Sequence, residues 1–482
     1  MHKLTLLLIV VWGASGSPGE AQDEVPRRNV LFVAIDDLGN VLGRTRPSGL
    51  QTPNLDRLAA RGTFFERAYC QVPLCNPSRA SVLTGQRPDV TTVWDLDRHF
   101  REQLPDAVTL PQVFRRAGYF VARVGKIYHY DVPRGIGTSG LDDEVSWDLV
   151  VNPKGRDVTD EALITNPTPE RPVSAAMSWL AADGTDAEQT DGMIATEGVR
   201  LLGELRDKPF FLAVGFFRPH TPYVAPRSYF DQYPSAAVQL PQVPVNDRLD
   251  IPTAAIPHNI PISNYGLDQP TLQHCLQAYL ASVSFVDTQV GRVLDALDAL
   301  DLTERTVVVL WSDHGYHLGE HGLWQKRTLF DPSARSPLII AAPQAESRGR
   351  ACQRVVEFVD IYPTTVELAL GQTPAGSAGR SLVPLLDNPD QTWDGAACTQ
   401  ILRPGTATPV MGRALTTGRY RLIEWDGGAA GRELYDWQTD PGEQTNLADQ
   451  RQFGEVIESL QKKFTGRAAA EAPSTPVNRQ RL

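Results

Sequence analysis

Four apolar stretches of this 482-residue chain end in residues able to do chemistry. Asp36-Asp37 follows NVLFVAI, Lys126 and His129 follow FVARVG, Arg218 and His220 follow FLAVGFF, and Asp313-His314 follows VVVLWS. Adjacent carboxylates can simply start a surface loop, or they can hold a hard divalent cation, which prefers several oxygen ligands. Asp313-His314 offers a further carboxylate and an imidazole, so the four residues read together as one metal site, with neither pair sufficient alone. Lys126 and Lys326, the latter in GLWQKRT, are either solvated lysines or clamps for a tetrahedral oxyanion. His129 and His220 have an intrinsic pKa suited to general acid or base work, or are satisfied structural histidines. Cys75, in PLCNPSRASVLTG, precedes Pro77 and Ser78. These residue types suit a helix start, where an anion is favoured. Arg79 lies four residues on, on the same side once the helix has begun. The thiol is open to three readings: a buried structural side chain, half of a disulfide, or the precursor of chemistry that a thiol cannot do.

The elements that must position these groups follow from hydrophobic pattern. Near-continuous apolar runs at Val30–Ile35, Phe120–Val124, Phe210–Phe216, Val307–Trp311 and Leu338–Ala342 fit strands buried on both faces. They alternate with helical patterns at Pro53–Arg61, Leu110–Ala117, Asp186–Leu205, Thr271–Leu300 and Phe358–Ala369. This alternation predicts an α/β fold with a large, mainly parallel central sheet flanked by helices. In such sheets ligands bind at the carboxyl ends of the strands, which is where the four polar clusters fall. After Ala369 a Gly-, Pro-, Ser- and Ala-rich loop intervenes. Short alternating strands at Tyr420–Trp425 and Glu433–Tyr435 and an amphipathic helix at Phe453–Phe464 then predict a smaller C-terminal α+β subdomain with a polar tail. The expected division is a leader over 1–21, a catalytic domain over 22–405 and the subdomain over 406–482.

The leader has the form of a secretory signal. Lys3 is followed by the apolar run Leu4 to Trp12 and the small-residue stretch Gly13 to Ala21. A nine-residue run is too short to span a bilayer. Export, to the periplasm or beyond the cell, is therefore expected, with no membrane span. The formal net charge of −11 argues against nucleic acid as a partner, since phosphate binding needs a net basic face. An anionic substrate would need basic residues focused in a cleft. The five cysteines, Cys70, Cys75, Cys275, Cys352 and Cys398, leave at least one unpaired in an exported chain, and Cys352 with Cys398 is a conceivable pair. No CxxC or zinc-type spacing occurs.

On CNPSRASVLTG the chain resembles the type I sulfatases of the alkaline phosphatase superfamily. It matches their signature Cys-x-Pro-Ser-Arg-x-x-x-Leu-Thr-Gly at every specified position, Cys75 to Gly85. Within that family it is closer to the iduronate-2-sulfatase type, along NVLFVAIDDLG, TPNLDRLAARGTFFERAY, GYFVARVGKIYH, PFFLAVGFFRPHTPY, SDHGYHLGEHGLWQK, VEFVDIYPTTVELA and ELYDWQTDP. The resemblance implies that a maturase converts Cys75 to Cα-formylglycine, whose hydrate is the nucleophile, and that Asp36, Asp37, Asp313, His314 and residue 75 surround Ca²⁺, with Mg²⁺ as the alternative ion. It further implies that Arg79 orients the diol, that Asp313 helps deprotonate its attacking hydroxyl, and that Lys126 and Lys326 stabilise the sulfuryl oxygens. His220 would protonate the leaving sugar oxygen, and His129 would deprotonate the second hydroxyl. The implied substrate is a sulfated carbohydrate, 2-O-sulfated uronate in glycosaminoglycan-like fragments. The alternatives are another sulfated sugar, a phosphonate or phosphate monoester, or a glycan binder without activity. Arg218 replaces a Lys of that type, and Trp94, Arg98, Arg218 and His317 are the candidates for sugar contacts.

Overall fold

The computed structural model describes residues 27–470 apart from 44, 45, 259, 261 and 405–407. The expected leader, the division point at residue 405 and the tail from 471 on lie outside the described residues. Eight strands form the central sheet: β1 Asn29–Asp36, β2 Thr63–Phe65, β3 Phe120–Gly125, β4 Leu149–Val151, β5 Phe210–Pro219, β6 Thr306–Ser312, β7 Leu338–Ala341 and β8 Arg350–Cys352. Their spatial order is β8-β2-β7-β6-β1-β5-β3-β4. β1 is parallel to both neighbours, β5 and β6, and every residue of β1 and β6 is buried. β7 runs antiparallel to β6 and to β2. It is the exception in a sheet otherwise of one direction, and its apolar run carries no information about strand direction.

The two faces of β1 divide the core. Leu31, Val33 and Ile35 join a cluster with Leu202, Val286 and Val293, whereas Val30, Phe32 and Ala34 join a second with Val82, Phe114 and Val366. Helices α1 Pro53–Arg61, α2 Cys75–Thr84, α3 Leu110–Arg116, α4 Thr190–Leu205, α5 Gln269–Ala299 and α6 Ile361–Leu370 supply these layers. At roughly 1.5–3 kcal/mol for each fully buried large aliphatic side chain, the two-faced burial of β1, shared by β5 and β6, makes these central strands the main stabilising layer. Two expected helices begin later than their pattern. Gln189 is extended (φ −83°, ψ 152°) between a short turn at Asp186–Glu188 and α4. Phe358–Asp360 is likewise a tight turn preceding α6. In both cases a side chain at the turn's end bonds back to the backbone N–H three residues earlier, Glu188 to Thr185 and Asp360 to Glu357, closing a local unit.

Beyond α6, strands β9 Ala397–Arg403, β10 Val410–Thr416, β11 Tyr420–Trp425 and β12 Arg432–Asp436 form an antiparallel sheet in sequence order, followed by α7 Gly454–Ala470. This sheet begins at Ala397, so two of its strands precede the runs legible in the sequence. No disulfide joins the described cysteines, and Cys352 Sγ instead meets the Pro389 carbonyl at 3.6 Å. Among the described residues no helix is long and apolar enough to cross a membrane.

Candidate active site

The register of the central sheet brings four strand ends level. Ile35 lies opposite Ser312 and Asp36 opposite Pro219, while Gly125 lies opposite Gly215. Gly125 has φ +72°, and a Cβ there would lie 2.2 Å from the Gly215 carbonyl oxygen. Only glycine lets β3 turn at this point and send Lys126 toward β1. Lys126 Nζ then donates to Asp36 Oδ2 at 2.5 Å and to the Tyr130 carbonyl at 3.2 Å.

Helix α2 enters the same space. Cys75 is its first residue, with Leu74 as a cap that offers no side-chain hydrogen bond. One turn later Arg79 is almost wholly buried, and each nitrogen of its guanidinium donates. Nε donates to Asp313 Oδ2 (2.9 Å), Nη2 to Asp36 Oδ1 (3.1 Å), and Nη1 to the carbonyls of Lys126 and Ile127 (3.0 and 2.9 Å). Burial opposes its charge, but Asp313 and Asp36 hold its pKa above the usual value. Ser78 donates to the Asp313 carbonyl, tying the helix to the end of β6.

Asp37 turns back with φ +61°. Its N–H donates to Asp313 Oδ1 (3.2 Å), and its carbonyl accepts from Tyr279 Oη (3.0 Å). Its carboxylate faces Lys326 Nζ, His314 Nε2 (3.3 Å) and His220 Nε2 (3.8 Å). Burial pushes the Asp37 carboxyl up to about 7, and Lys326 opposes that rise. Asp36 goes the other way: despite burial, Lys126 and His220 hold it well below the usual range. Cys75 Sγ lies 3.3 Å from both His314 Nε2 and Lys326 Nζ. Lys326 keeps a raised pKa against its burial, through Asp37 and Cys75.

The histidines are oriented by their backbone partners. His314 places Nδ1 at the Gly315 carbonyl (2.9 Å) and His220 places Nδ1 at the Thr221 carbonyl (2.5 Å), so each turns Nε2 into the site. A carbonyl behind an imidazole is the outer-shell arrangement of a metal ligand. Burial lowers His314, but Asp313 and Cys75 outweigh it and carry it up to about 9. Burial, then Lys326, pushes His220 well below its usual value. His129 is lowered to about 3 by burial and Lys126, and its Nδ1 has no hydrogen-bond partner.

A divalent cation fits this donor set. Ligand atoms of Asp36, Asp37, Cys75 and His220 lie within 4.8 Å of one another, as do those of Cys75, Asp313 and His314. Three buried carboxylates converge there with His314 Nε2, 3.3 Å from Asp37, while His220 Nε2 lies 3.8 Å from Asp37 at the edge of the set.

The expected sugar contacts divide. Trp94 and Arg98 sit half-buried on a loop next to α2, which Asn76 holds by donating to the carbonyls of Asp95 and Arg98 (3.0 and 2.8 Å). Arg218 and His317 face the interior. Arg218 Nη2 pairs with Asp157 Oδ2 at 2.6 Å, and Nη1 serves two carbonyls. His317 is fully buried with Nε2 on Thr328 Oγ1 (2.7 Å). Sequence reasoning missed Ser78, Tyr279, Asn76 and Asp191. The last accepts from the N–H groups of Phe217 and Arg218 and so fixes the end of β5. Each lies in a helix or helical pattern whose other residues explain it as core.

The comparisons match the same span. The sulfatase family model covers residues 28–371, and the model of the N-sulphoglucosamine sulphohydrolase C-terminal region covers residues 319–470. A sulfatase of Formosa agariphila is 34% identical over 452 residues, 92% of this chain and 87% of its own. Human iduronate 2-sulfatase is 33% identical over 411 residues, 77% of this chain and 74% of its own. The crystal structure of the phosphonate monoester hydrolase of Agrobacterium radiobacter superimposes with a TM-score of 0.76 at 23% identity, covering 92% of this chain and 96% of that one.

Proposed function

We propose, from the premise that this chain belongs to the sulfatase family and is a sulfuric ester hydrolase, that it removes sulfate from 2-O-sulfated uronate residues of glycosaminoglycan-like fragments. The observation that carries the chemistry is Cys75 at the start of α2, with Lys326 Nζ and His314 Nε2 both 3.3 Å from its Sγ. The support for the sugar is the likeness to human iduronate 2-sulfatase.

Asp36, Asp37, Asp313, His314 and residue 75 would hold a divalent cation, Ca²⁺ or Mg²⁺, a Lewis acid that draws charge from sulfate oxygens. Formylglycine made from Cys75 by a maturase would supply a hydrated aldehyde: one hydroxyl to attack sulfur in line and a second to release sulfate as the aldehyde reforms. Lys126 and Lys326 place two ammonium groups where sulfuryl charge develops. Arg79 cannot move, since Asp36, Asp313 and two carbonyls hold it, so it orients residue 75 from a fixed position. His220 holds at Nε2 the proton that passes to the leaving sugar oxygen, with Nδ1 anchored on Thr221. The bound substrate's negative charge raises this proton's affinity above that of the empty site. His129, with Nδ1 unpartnered, takes a proton from residue 75 in the second half-reaction. The protein is expected to act outside the cytoplasm, following its leader.

The superimposable phosphonate monoester hydrolase supports a second reading, hydrolysis of phosphonate or phosphate monoesters at the same site. Matured protein should be profiled on sulfated mono- and disaccharides, an aryl sulfate and an aryl phosphonate ester, with Cys75→Ser as control. The highest kcat/KM is expected on the 2-O-sulfated uronate. A dominant phosphonate activity would overturn the sulfatase reading, and undiminished activity in Cys75→Ser would refute the nucleophile.

A further inference from the structure

A uronate carries a carboxylate besides its sulfate, and a planar guanidinium is the side chain whose fork fits it. Arg218 is taken by Asp157, and Arg98 leans on the Thr92 carbonyl and Glu102. Arg327 is different. It follows Lys326 directly, and its own N–H donates to the carbonyl of Pro73, two residues before Cys75. Its side chain is half-buried and makes no hydrogen bond or ion pair among the described residues.

The backbone presents this arginine deliberately. Gln325 and Arg327 both have positive φ, +67° and +77°, and such strain in non-glycine residues persists only where the surroundings impose it. His317–Leu318 pairs with Trp324–Gln325 in a short hairpin, and Gln325 Nε2 donates to the Ala176 carbonyl at 3.0 Å. Lys326 and Arg327 therefore emerge from a fixed base, Lys326 toward Cys75.

A second buried guanidinium belongs to the C-terminal sheet. Arg403, at the end of β9, is buried and donates only to the carbonyls of Ala254 and Ala255 (3.2 and 3.1 Å). Glu433, the nearest acid to act on it, is occupied by Trp425 Nε1 and Tyr435 Oη (2.8 and 2.9 Å). Burial and then Arg327 push Arg403 down to about 9, and burial followed by Arg327 and Arg403 also lowers His258. Neither guanidinium has an ion-pair partner among the described residues, so the charge of half-buried Arg327 is left for an anion to meet.

We infer that Arg327, next to Lys326 and anchored by its backbone at Pro73, forms an anion subsite near residue 75 that takes the carboxylate of the uronate. The choice of a uronate rests on the function proposed above, whereas the unpaired guanidinium beside the nucleophile does not.

The test compares wild type with Arg327→Asn, which tolerates the left-handed backbone, and with Arg327→Lys, which keeps the charge and loses the fork. For Arg327→Asn the ratio of kcat/KM on a 2-O-sulfated uronate disaccharide to that on nitrophenyl sulfate should fall by about ten-fold or more, mainly through KM. Arg327→Lys should recover part of the loss. A ratio that stays constant would overturn the inference, whether both activities fall together or neither does. A second arm measures inhibition of nitrophenyl sulfate hydrolysis by glucuronate and by glucose 6-sulfate. Glucuronate should inhibit wild type and lose at least about ten-fold in potency in Arg327→Asn. If glucuronate does not inhibit wild type, or if only glucose 6-sulfate loses potency in the variant, a carboxylate is not the ligand and the inference fails. Should wild type hydrolyse no sulfated uronate, the proposed substrate fails, and the glucuronate arm still decides the role of Arg327.

Discussion

Arg79 Nε lies 2.9 Å from Asp313 Oδ2, and the same guanidinium reaches Asp36 Oδ1 at 3.1 Å. One buried side chain on α2 thus joins the ends of β1 and β6. Arg79→Leu would leave the buried Asp313 without its guanidinium and Asp36 with Lys126 alone, at a cost of about 3–5 kcal/mol. Urea unfolding should show this as a lower midpoint with an unchanged slope. A midpoint equal to that of wild type would mean the bridge contributes nothing to stability.

Lys326 differs from Arg79 because it points at residue 75 as well as at Asp37. Lys326→Met should lower kcat/KM for every sulfate ester by about 10²–10³, the usual loss of one oxyanion donor. The loss should be independent of the sugar, in contrast with changes at Arg327. Steady-state kinetics on an aryl sulfate and a disaccharide separates the two.

The convergence of Asp36, Asp37, Asp313 and His314 predicts that Ca²⁺ or Mg²⁺ stabilises the folded chain. At a hundred times its Kd an ion adds about 2.7 kcal/mol. Thermal unfolding with and without a chelator should show a higher Tm with the ion. The shift should largely vanish in Asp37→Asn. A Tm indifferent to both ions in wild type would exclude the site.

In the C-terminal sheet, burial pushes Glu433 up to about 7 although Trp425 and Tyr435 donate to it. A carboxyl raised in the folded state binds its proton more tightly there than in the unfolded chain. Its contribution is therefore full below the unfolded value near 4.5 and is lost as pH rises through about 7. Unfolding free energy should fall between pH 5 and pH 8 in wild type and fall less in Glu433→Gln. The difference is at most a few kcal/mol. Equal slopes for both proteins would contradict the assignment.

The central strands were legible because near-continuous apolar runs with polar ends leave little freedom. Val30–Ile35 is the interior of β1, and Pro53–Arg61 is α1 to the residue. The antiparallel direction of β7 and the strands β9 and β10 were not legible. Strand direction leaves no trace in composition, and Ala397–Arg403 mixes polar and apolar residues without strict alternation. At the site, residue type and position after a strand singled out the acids, lysines and histidines. Arg218 and Arg327 could not be told apart in that way. Both are arginines near a strand or turn end, and only packing shows that Asp157 neutralises one and that no acid among the described residues pairs with the other.

By itself the sequence determined the elements that are fixed locally: buried strands, a helix start close after Cys75, which the structure places at Cys75 itself, and the signature running from Cys75 to Gly85. The tertiary structure alone decided which charges meet. Electrostatic partnership depends on distances of a few ångströms between residues far apart in the chain, 289 positions in the case of Lys326 and Asp37, and the register of the central sheet and the C-terminal strands set those distances.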